Sequence, residues 1–320
     1  MTKKKNFNLA IVGLGNIGLN LYKHLLKNKK SIIEKNNVFF DIKYVSAKNK
    51  KKKRGISIPK KKWLRNYLDA SKLDDIDIVI ELIGGAEGPA KKLVFDSIRR
   101  KKHVVTANKS LISKHGDQLA LLAERNKVNI EFEAAVAGGI PIIRTLKEGF
   151  VANKTKKIYG ILNGTSNFIL SSMDKMNISF NKVLNKAKKL GYAESNPKSD
   201  LNGDDVRSKV QILSSLAFNC FINKNNINQE GINFIDETDI KNANILGYKI
   251  KHIGLSEISE GKLIQRVNPC LIKKGSRLGS VNGVLNAVII EGEPIGKSVL
   301  QGEGAGAGPT TSALVSDICS

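Results

Sequence analysis

The sequence predicts an α/β fold, a Rossmann-like doubly wound parallel sheet, joined to a second, α+β domain. Three observations carry this prediction. Short apolar runs alternate with amphipathic stretches over residues 9–133. A glycine-rich turn, Gly13-Leu14-Gly15-Asn16-Ile17-Gly18, lies between the first apolar run and the first amphipathic stretch. The rhythm then changes after Gly149, where three helical stretches precede a glycine-punctuated β-like region.

Leu9-Ala10-Ile11-Val12 is an apolar run ending at glycine and reads as a buried strand. Residues 16–30 are helical, with Ile17, Leu21, Leu25 and Leu26 on one face. Residues 38–47 alternate as a second strand, and 48–62 form a lysine-rich, turn-like insertion. Residues 76–83 are a strongly apolar strand ending at Gly84-Gly85. Pro89 opens a helix to about residue 101, at a position that tolerates a missing N–H. A strand at 103–106, a helix at 110–125 and a strand at 128–133 follow. Strands alternating with helices build a parallel sheet covered on both faces. Beyond Gly149 come a strand at 156–162 and helices at 166–176, 180–190 and 204–218. Residues 244–290 hold short β-like runs, expected to form an antiparallel sheet. A glycine-rich bend, Gly302 to Gly308, precedes Pro309 and a helical end.

Composition removes several classes. The 320 residues are 41% hydrophobic with 28 further glycines, enough apolar surface to exclude disorder over the whole chain. No apolar run reaches the ~18 residues of a membrane span. The basic start, Met1 to Asn6, is not followed by a signal-type apolar core. Three scattered cysteines suit a reduced, cytoplasmic compartment better than a disulfide framework. Four histidines share no metal-ligand spacing. The net charge of +24 raises nucleic-acid binding, yet residues 1–62, with 18 Lys and Arg against 2 acids, hold most of it. Those charge runs lack interleaved aromatics, so nucleic acid is not expected as a partner.

The glycine turn follows a strand and opens a helix. That context suits a pyrophosphate, because the turn is tight and the helix supplies N–H donors and a positive dipole end. The plain alternative is a strand–helix turn with no ligand. The second strand ends Ser46-Ala47-Lys48-Asn49, with no acid to take a ribose 2′-hydroxyl, and continues into cations. NADP(H) is therefore expected over NAD(H), with Lys48 near its 2′-phosphate; a solvated lysine loop is the alternative. On the 204–218 helix, Asp205 and Lys209 are spaced i, i+4 and begin a stripe continued by Ile212 and Leu216. Such a pair is usually a surface salt bridge, but the partly apolar stripe tilts it toward a cleft. Glu194 and Asp200 sit in an acidic loop just before, able to bind a substrate ammonium or merely to cap helices.

Together these residues resemble the homoserine dehydrogenase family. The run Ala187-x3-Gly191-Tyr192-Ala193-Glu194-Ser195-Asn196-Pro197-x2-Asp200-Leu201-x-Gly203-x-Asp205-x3-Lys209 matches its signature at every specified position. Blocks at 104–109, 133–141, 160–167 and 302–317 resemble family blocks in the same order. The resemblance implies reversible NAD(P)H-dependent reduction of L-aspartate 4-semialdehyde to L-homoserine, toward threonine, methionine and isoleucine. It implies Lys209 as proton donor with Asp205 beside it, and Lys109 facing substrate and nicotinamide. It assigns the substrate to Glu194, Asp200, Gly164, Thr165 and Tyr192. The dinucleotide falls to Gly13, Leu14, Gly15, Asn16, Ile17, Gly18, Lys48, Thr106, Lys109, Gly304 and Gly306. Sodium falls to the Glu133 carboxylate and the carbonyls of Val136, Gly138 and Ile140, a stretch that the residues alone read as a hinge.

The resemblance further implies a homodimer formed through the second domain's sheet, with Ile142, Ile143, Ile289 and Ile290 expected near the interface. The expected division is a nucleotide-binding domain at 1–150, a catalytic and dimerisation domain at 151–300, and a segment at 301–320 returning to the first. Many bacterial relatives continue into a regulatory ACT domain; this chain is expected to be a short form without threonine control through one. The alternatives are an oxidoreductase for another amino-acid semialdehyde, which the 187–209 signature opposes, and an inactive relative, which the intact lysines and carboxylates oppose.

Overall fold

The computed structural model describes residues 6–222 and 227–320, so Lys3, Lys4 and Lys5 of the basic start lie outside the described residues. The chain divides into two compact units, residues up to Gly138 with Gly306–Ser320, and Gly139–Ala305.

The first unit runs β1 (Asn6–Val12), α1 (Asn16–Asn36), β2 (Phe39–Ser46), α2 (Asp69–Lys72), β3 (Ile78–Glu81), α3 (Pro89–Arg99), β4 (His103–Thr106), α4 (Lys109–Asn126) and β5 (Ile130–Glu131). The strands form one parallel sheet in the order β2-β1-β3-β4-β5. The central strands β1, from Leu9 on, and β3 are buried on both sides because helices cover both faces, whereas the edge strand β2 exposes Asp41 and Lys43. Leu9, Ile11, Leu21, Leu25, Phe40 and Ile80 pack on one face, and Ala10, Val12, Val79 and Leu93 on the other. Helix α1 is longer than its spacing predicts. Ile32 is buried and carries the apolar stripe on, until Asn37 turns left-handed at φ 55° and donates its N–H to the Ile33 carbonyl. The short α2 has no periodic signal to announce it.

The second unit runs α5 (Ile142–Arg144), which continues as a wider turn over Thr145–Gly149, then β6 (Lys154–Ile161), α6 (Gly164–Met176), α7 (Phe180–Lys189), α8 (Lys198–Leu201), α9 (Asp204–Phe218), β7 (Asn228–Gln229), α10 (Glu237–Ile245), β8 (Tyr248–Ser259), β9 (Lys262–Lys273), β10 (Leu285–Glu293) and β11 (Gly296–Glu303). The sheet order is β11-β10-β6-β8-β9-β7. Its pairings are antiparallel except that of β7 with β9, which corrects the expectation of a wholly antiparallel sheet. The runs expected to be short are long: β8 and β9 pair over twelve residues each, because Glu260 and Gly261 turn with positive φ and keep one register. Helix α10 starts at a reciprocal cap between Asp236 and Asp239, a signal readable as Asp-x-x-Asp. The last helix, α11 (Ala307–Ile318), belongs to the first unit, where Thr311 bonds Asn20 of α1.

One expectation differs from this division. The boundary expected at 150 falls at 138/139, because the helical stretch 142–149 is part of the second unit, and residues 301–303 are the end of β11. Ile142, Ile143, Ile289 and Ile290, expected near a dimer interface, are at most 4% exposed within the single chain.

Candidate active site

In the first unit, the turn after β1 is built from backbone. Gly13 has φ 114°, and a Cβ there would stand 2.3 Å from the Leu82 carbonyl oxygen. The N–H groups of Gly13 and Leu14 both donate to the Ser46 carbonyl, at 2.9 and 3.1 Å, tying the turn to the end of β2. A Cβ on Gly18 would stand 2.2 Å from the Gly13 carbonyl, so α1 packs directly on the turn. A Cβ on Gly15 would meet nothing within 4 Å. Two glycines close the turn and the middle one faces open space at the head of a 21-residue helix. That geometry fits a pyrophosphate: the chain approaches unobstructed, and the α1 N-terminus brings N–H groups and partial positive charge. Leu14 is buried, while Asn16 and Ile17 begin α1.

Lys48 is exposed two residues beyond β2. The insertion around it is ordered by Arg54, the last of the run of cations expected to suit a 2′-phosphate. Its guanidinium donates to the carbonyls of Leu14, Asn49 and Lys52 and lies 5.3 Å from the Trp63 ring. Arg54 is occupied in holding the loop, whereas Lys48 projects from it.

At the carboxyl ends of β3 and β4, Glu81 is fully buried. It accepts from the N–H groups of Ile83 and Gly84 and from the Thr106 hydroxyl at 2.6 Å. Thr106 accepts from the Asn108 N–H, and the Asn108 side chain reaches the Gly85 carbonyl and caps α4. Lys109 is therefore the first residue of a capped helix, beside the edge where open α/β sheets bind ligands. Glu81 went unremarked in the sequence, although an acid inside an apolar strand is a legible signal of a bonded, purposeful carboxylate.

In the second unit, the Asp205–Lys209 pair is not a surface bridge. The side chains are 4% and 9% exposed, and Lys209 Nζ lies 2.8 Å from Asp205 Oδ2. A second Lys209 donor goes to the Leu162 carbonyl at 2.6 Å. Asn163 Nδ2 bonds both Asp205 Oδ2 and Asp200 Oδ1 at 2.8 Å, while its Oδ1 caps α6 by accepting from Ser166. Asp200, Asp205 and Lys209 are thus brought into one network through Asn163. Gly164 and Thr165 form the next turn, where Thr165 donates to the Tyr192 carbonyl at 2.7 Å and the exposed Tyr192 ring packs against Phe168. Glu194 is exposed and outside this hydrogen-bonded network.

The remaining expected residues are placed as follows. Gly304 lies against the amide of Asn286, where a Cβ would clash at 2.1 Å. Gly306 caps α11 with φ 112°. Glu133 is buried, its N–H donating to Asp317 Oδ2 at 3.0 Å. Gly138 packs on Thr310, Val136 is buried, and Ile140 is buried in the second unit with its carbonyl accepting from Ile142. A carboxylate with backbone carbonyls is a hard oxygen donor set, suited in kind to an alkali cation. Among the described residues no helix is long and apolar enough to cross a membrane.

A glycine turn of this form at the carboxyl edge of a parallel sheet, in a chain whose second unit holds a buried carboxylate–lysine pair, is that of an NAD(P)-dependent oxidoreductase. Known proteins narrow the class. A family model described as homoserine dehydrogenase, NAD binding domain, matches residues 13–133, and one described as homoserine dehydrogenase matches 141–319. Homoserine dehydrogenase of Neisseria gonorrhoeae is 41% identical over 98% of this chain and 72% of its own length, and that of Bacillus subtilis 38% over the same shares. The crystal structure of a homoserine dehydrogenase from Thiobacillus denitrificans superposes with a TM-score of 0.94 at 39% identity, over 98% of this chain and 73% of that one. The chain belongs to the homoserine dehydrogenase family, NAD(P)-dependent oxidoreductases acting on a CH–OH group.

Proposed function

We propose that Lys209 is the proton donor in reduction of L-aspartate 4-semialdehyde to L-homoserine, and that NADP(H) is the preferred dinucleotide. When bound, the dinucleotide supplies the hydride. The observation that carries the reading is the buried Lys209–Asp205 pair. Asp205 and the Leu162 carbonyl hold two of the three ammonium donors, which leaves the third to protonate the developing alkoxide. Oxidation of homoserine releases a proton, so alkaline pH favours that direction. Asp200, fixed by Asn163, and Glu194 would receive the substrate ammonium, with Gly164, Thr165 and Tyr192 lining the remainder. Lys109 would act from the head of α4, on the nicotinamide and substrate side.

Gly13 to Gly18, Thr106, Gly304 and Gly306 are proposed to line the dinucleotide, and Lys48 to take the 2′-phosphate. The absence of an acid after β2 and the exposed lysines there support the phosphate. Glu133 and the carbonyls of Val136, Gly138 and Ile140 are proposed to hold sodium, on the ground of their oxygen chemistry. A cytoplasmic homodimer serving threonine, methionine and isoleucine synthesis completes the proposal. Semialdehyde-dependent oxidation of NADPH and NADH, with and without sodium, tests it. Faster kcat/KM with NADPH and stimulation by sodium are expected; equal or better use of NADH would remove the role of Lys48.

A further inference from the structure

A further buried cation, Lys251, lies outside everything assigned above. Lys251, in the middle of β8, is 1% exposed. Its ammonium has three oxygen partners: the Val281 carbonyl at 2.5 Å, Asn167 Oδ1 at 3.1 Å and Asn282 Oδ1 at 3.2 Å. Three donors meet three acceptors, which is the valence of a charged lysine and one more than a neutral amine supplies. Asn167 belongs to the first turn of α6. Its Nδ2 donates to the carbonyls of Val281 and Leu285, so its Oδ1 is fixed toward Lys251. The same helix meets the loop twice more: a Cβ on Gly164 would stand 2.7 Å from the Val284 carbonyl, and Ser171 Oγ accepts from the Gly283 N–H. The head of α6 thus rests on the 281–285 loop, and Lys251 is the charge that binds loop to helix.

We propose that Lys251 is a positioning residue for the substrate pocket. Its ammonium holds the 281–282 loop against Asn167 and so sets the first turn of α6, where Asn163 bridges Asp200 and Asp205 and where Gly164 and Thr165 stand. A buried charge costs stability unless it is fully bonded. The hydrogen bonds here converge on the one helix turn that meets the proposed site, so the return on that cost is geometry. The inference rests on the reading of Asp200, Gly164, Thr165 and Lys209 as substrate residues. The titratable groups facing Lys251 are Lys249 on its own strand and Asp174 on α6, which pair with each other at 3.2 Å. Burial, and then Lys249, push the Lys251 ammonium down to about 8. Above that pH the neutral amine keeps two donors for three oxygens, and the loop loosens.

The test compares wild type, Lys251→Met, Asn282→Ala and Lys209→Ala. KM for L-aspartate 4-semialdehyde, KM for NADPH and the thermal melt are measured for each, from pH 7 to 9. Lys251→Met is expected to raise KM for the semialdehyde about tenfold, the scale of one lost charged hydrogen bond, while KM for NADPH stays within about twofold. Asn282→Ala, which removes one of the three acceptors from the exposed edge of the loop and leaves Lys251 in place, is expected to raise it about threefold, and it decides the matter if Lys251→Met does not fold. The ratio of wild-type to Lys251→Met KM should climb as pH passes 8. An unchanged semialdehyde KM in a folded Lys251→Met, or equal rises for both ligands, overturns the proposal. Near-normal turnover of Lys209→Ala would instead overturn the reading beneath it.

Discussion

On the proposed assignment, the two units prepare their parts of the reaction by opposite means. The turn after β1 is made of backbone and of missing side chains: Gly13 and Gly18 leave room for other backbone, and Gly15 leaves room for a ligand. The head of α9 is made of buried charge, with Lys209, Asp205 and Asp200 joined through one asparagine. A dinucleotide that brings its own reactive ring needs shape and N–H groups from the protein. A small aldehyde that must be oriented and protonated needs titratable side chains held still. The first arrangement tolerates no added atoms, and the second tolerates no removed ones.

The largest effect expected from breaking this contrast lies in the second unit. Lys209→Ala should lower kcat by about 10²–10⁴-fold, the usual worth of a positioned proton donor, with NADPH affinity unchanged. Next comes the turn. Gly13→Ala must place a Cβ against the Leu82 carbonyl in a left-handed backbone, so it should lower stability by about 1–3 kcal/mol in a denaturant titration. Gly15→Val, two residues away, should leave the melt unchanged and weaken NADPH binding, because its side chain meets only the open space. Equal stability losses in both variants would erase the distinction drawn between the glycines.

Asn163→Ala should then cost about 1 kcal/mol for the lost α6 cap and raise KM for the semialdehyde, by freeing Asp200 from Asp205. The smallest effect is at Lys48. Its exposed charge is worth up to about 1 kcal/mol, so Lys48→Ala should raise KM for NADPH about twofold to fivefold and leave NADH unaffected.

The same contrast decides what the sequence shows. The parallel sheet was legible because strands buried on both sides spell continuous apolar runs, and the glycine turn because the absence of side chains is itself written in the sequence. The pair on α9 was legible as spacing, but not as burial: i, i+4 Asp–Lys reads the same at a surface, and only the packing of β6 and the Leu162 carbonyl just after it separates the two. Glu81 and Asn163 carried local signals, an acid in an apolar strand and an N-cap before Gly164. Lys251 carried none, because in a chain with 53 Lys and Arg one more lysine in a strand attracts no notice until its three partners, 84, 30 and 31 residues away, are folded around it. The long β8–β9 hairpin was hidden likewise, because Gly254 and Pro269 interrupt its runs and its buried Lys251 and His252 read as polar.

The most direct test of the contrast is one paired measurement on Lys209→Ala: single-turnover NADPH oxidation with saturating L-aspartate 4-semialdehyde, beside NADPH binding by fluorescence. The account predicts a rate reduced at least about a hundredfold with NADPH affinity as in wild type. A rate near that of wild type, in a folded protein that binds NADPH normally, would contradict it.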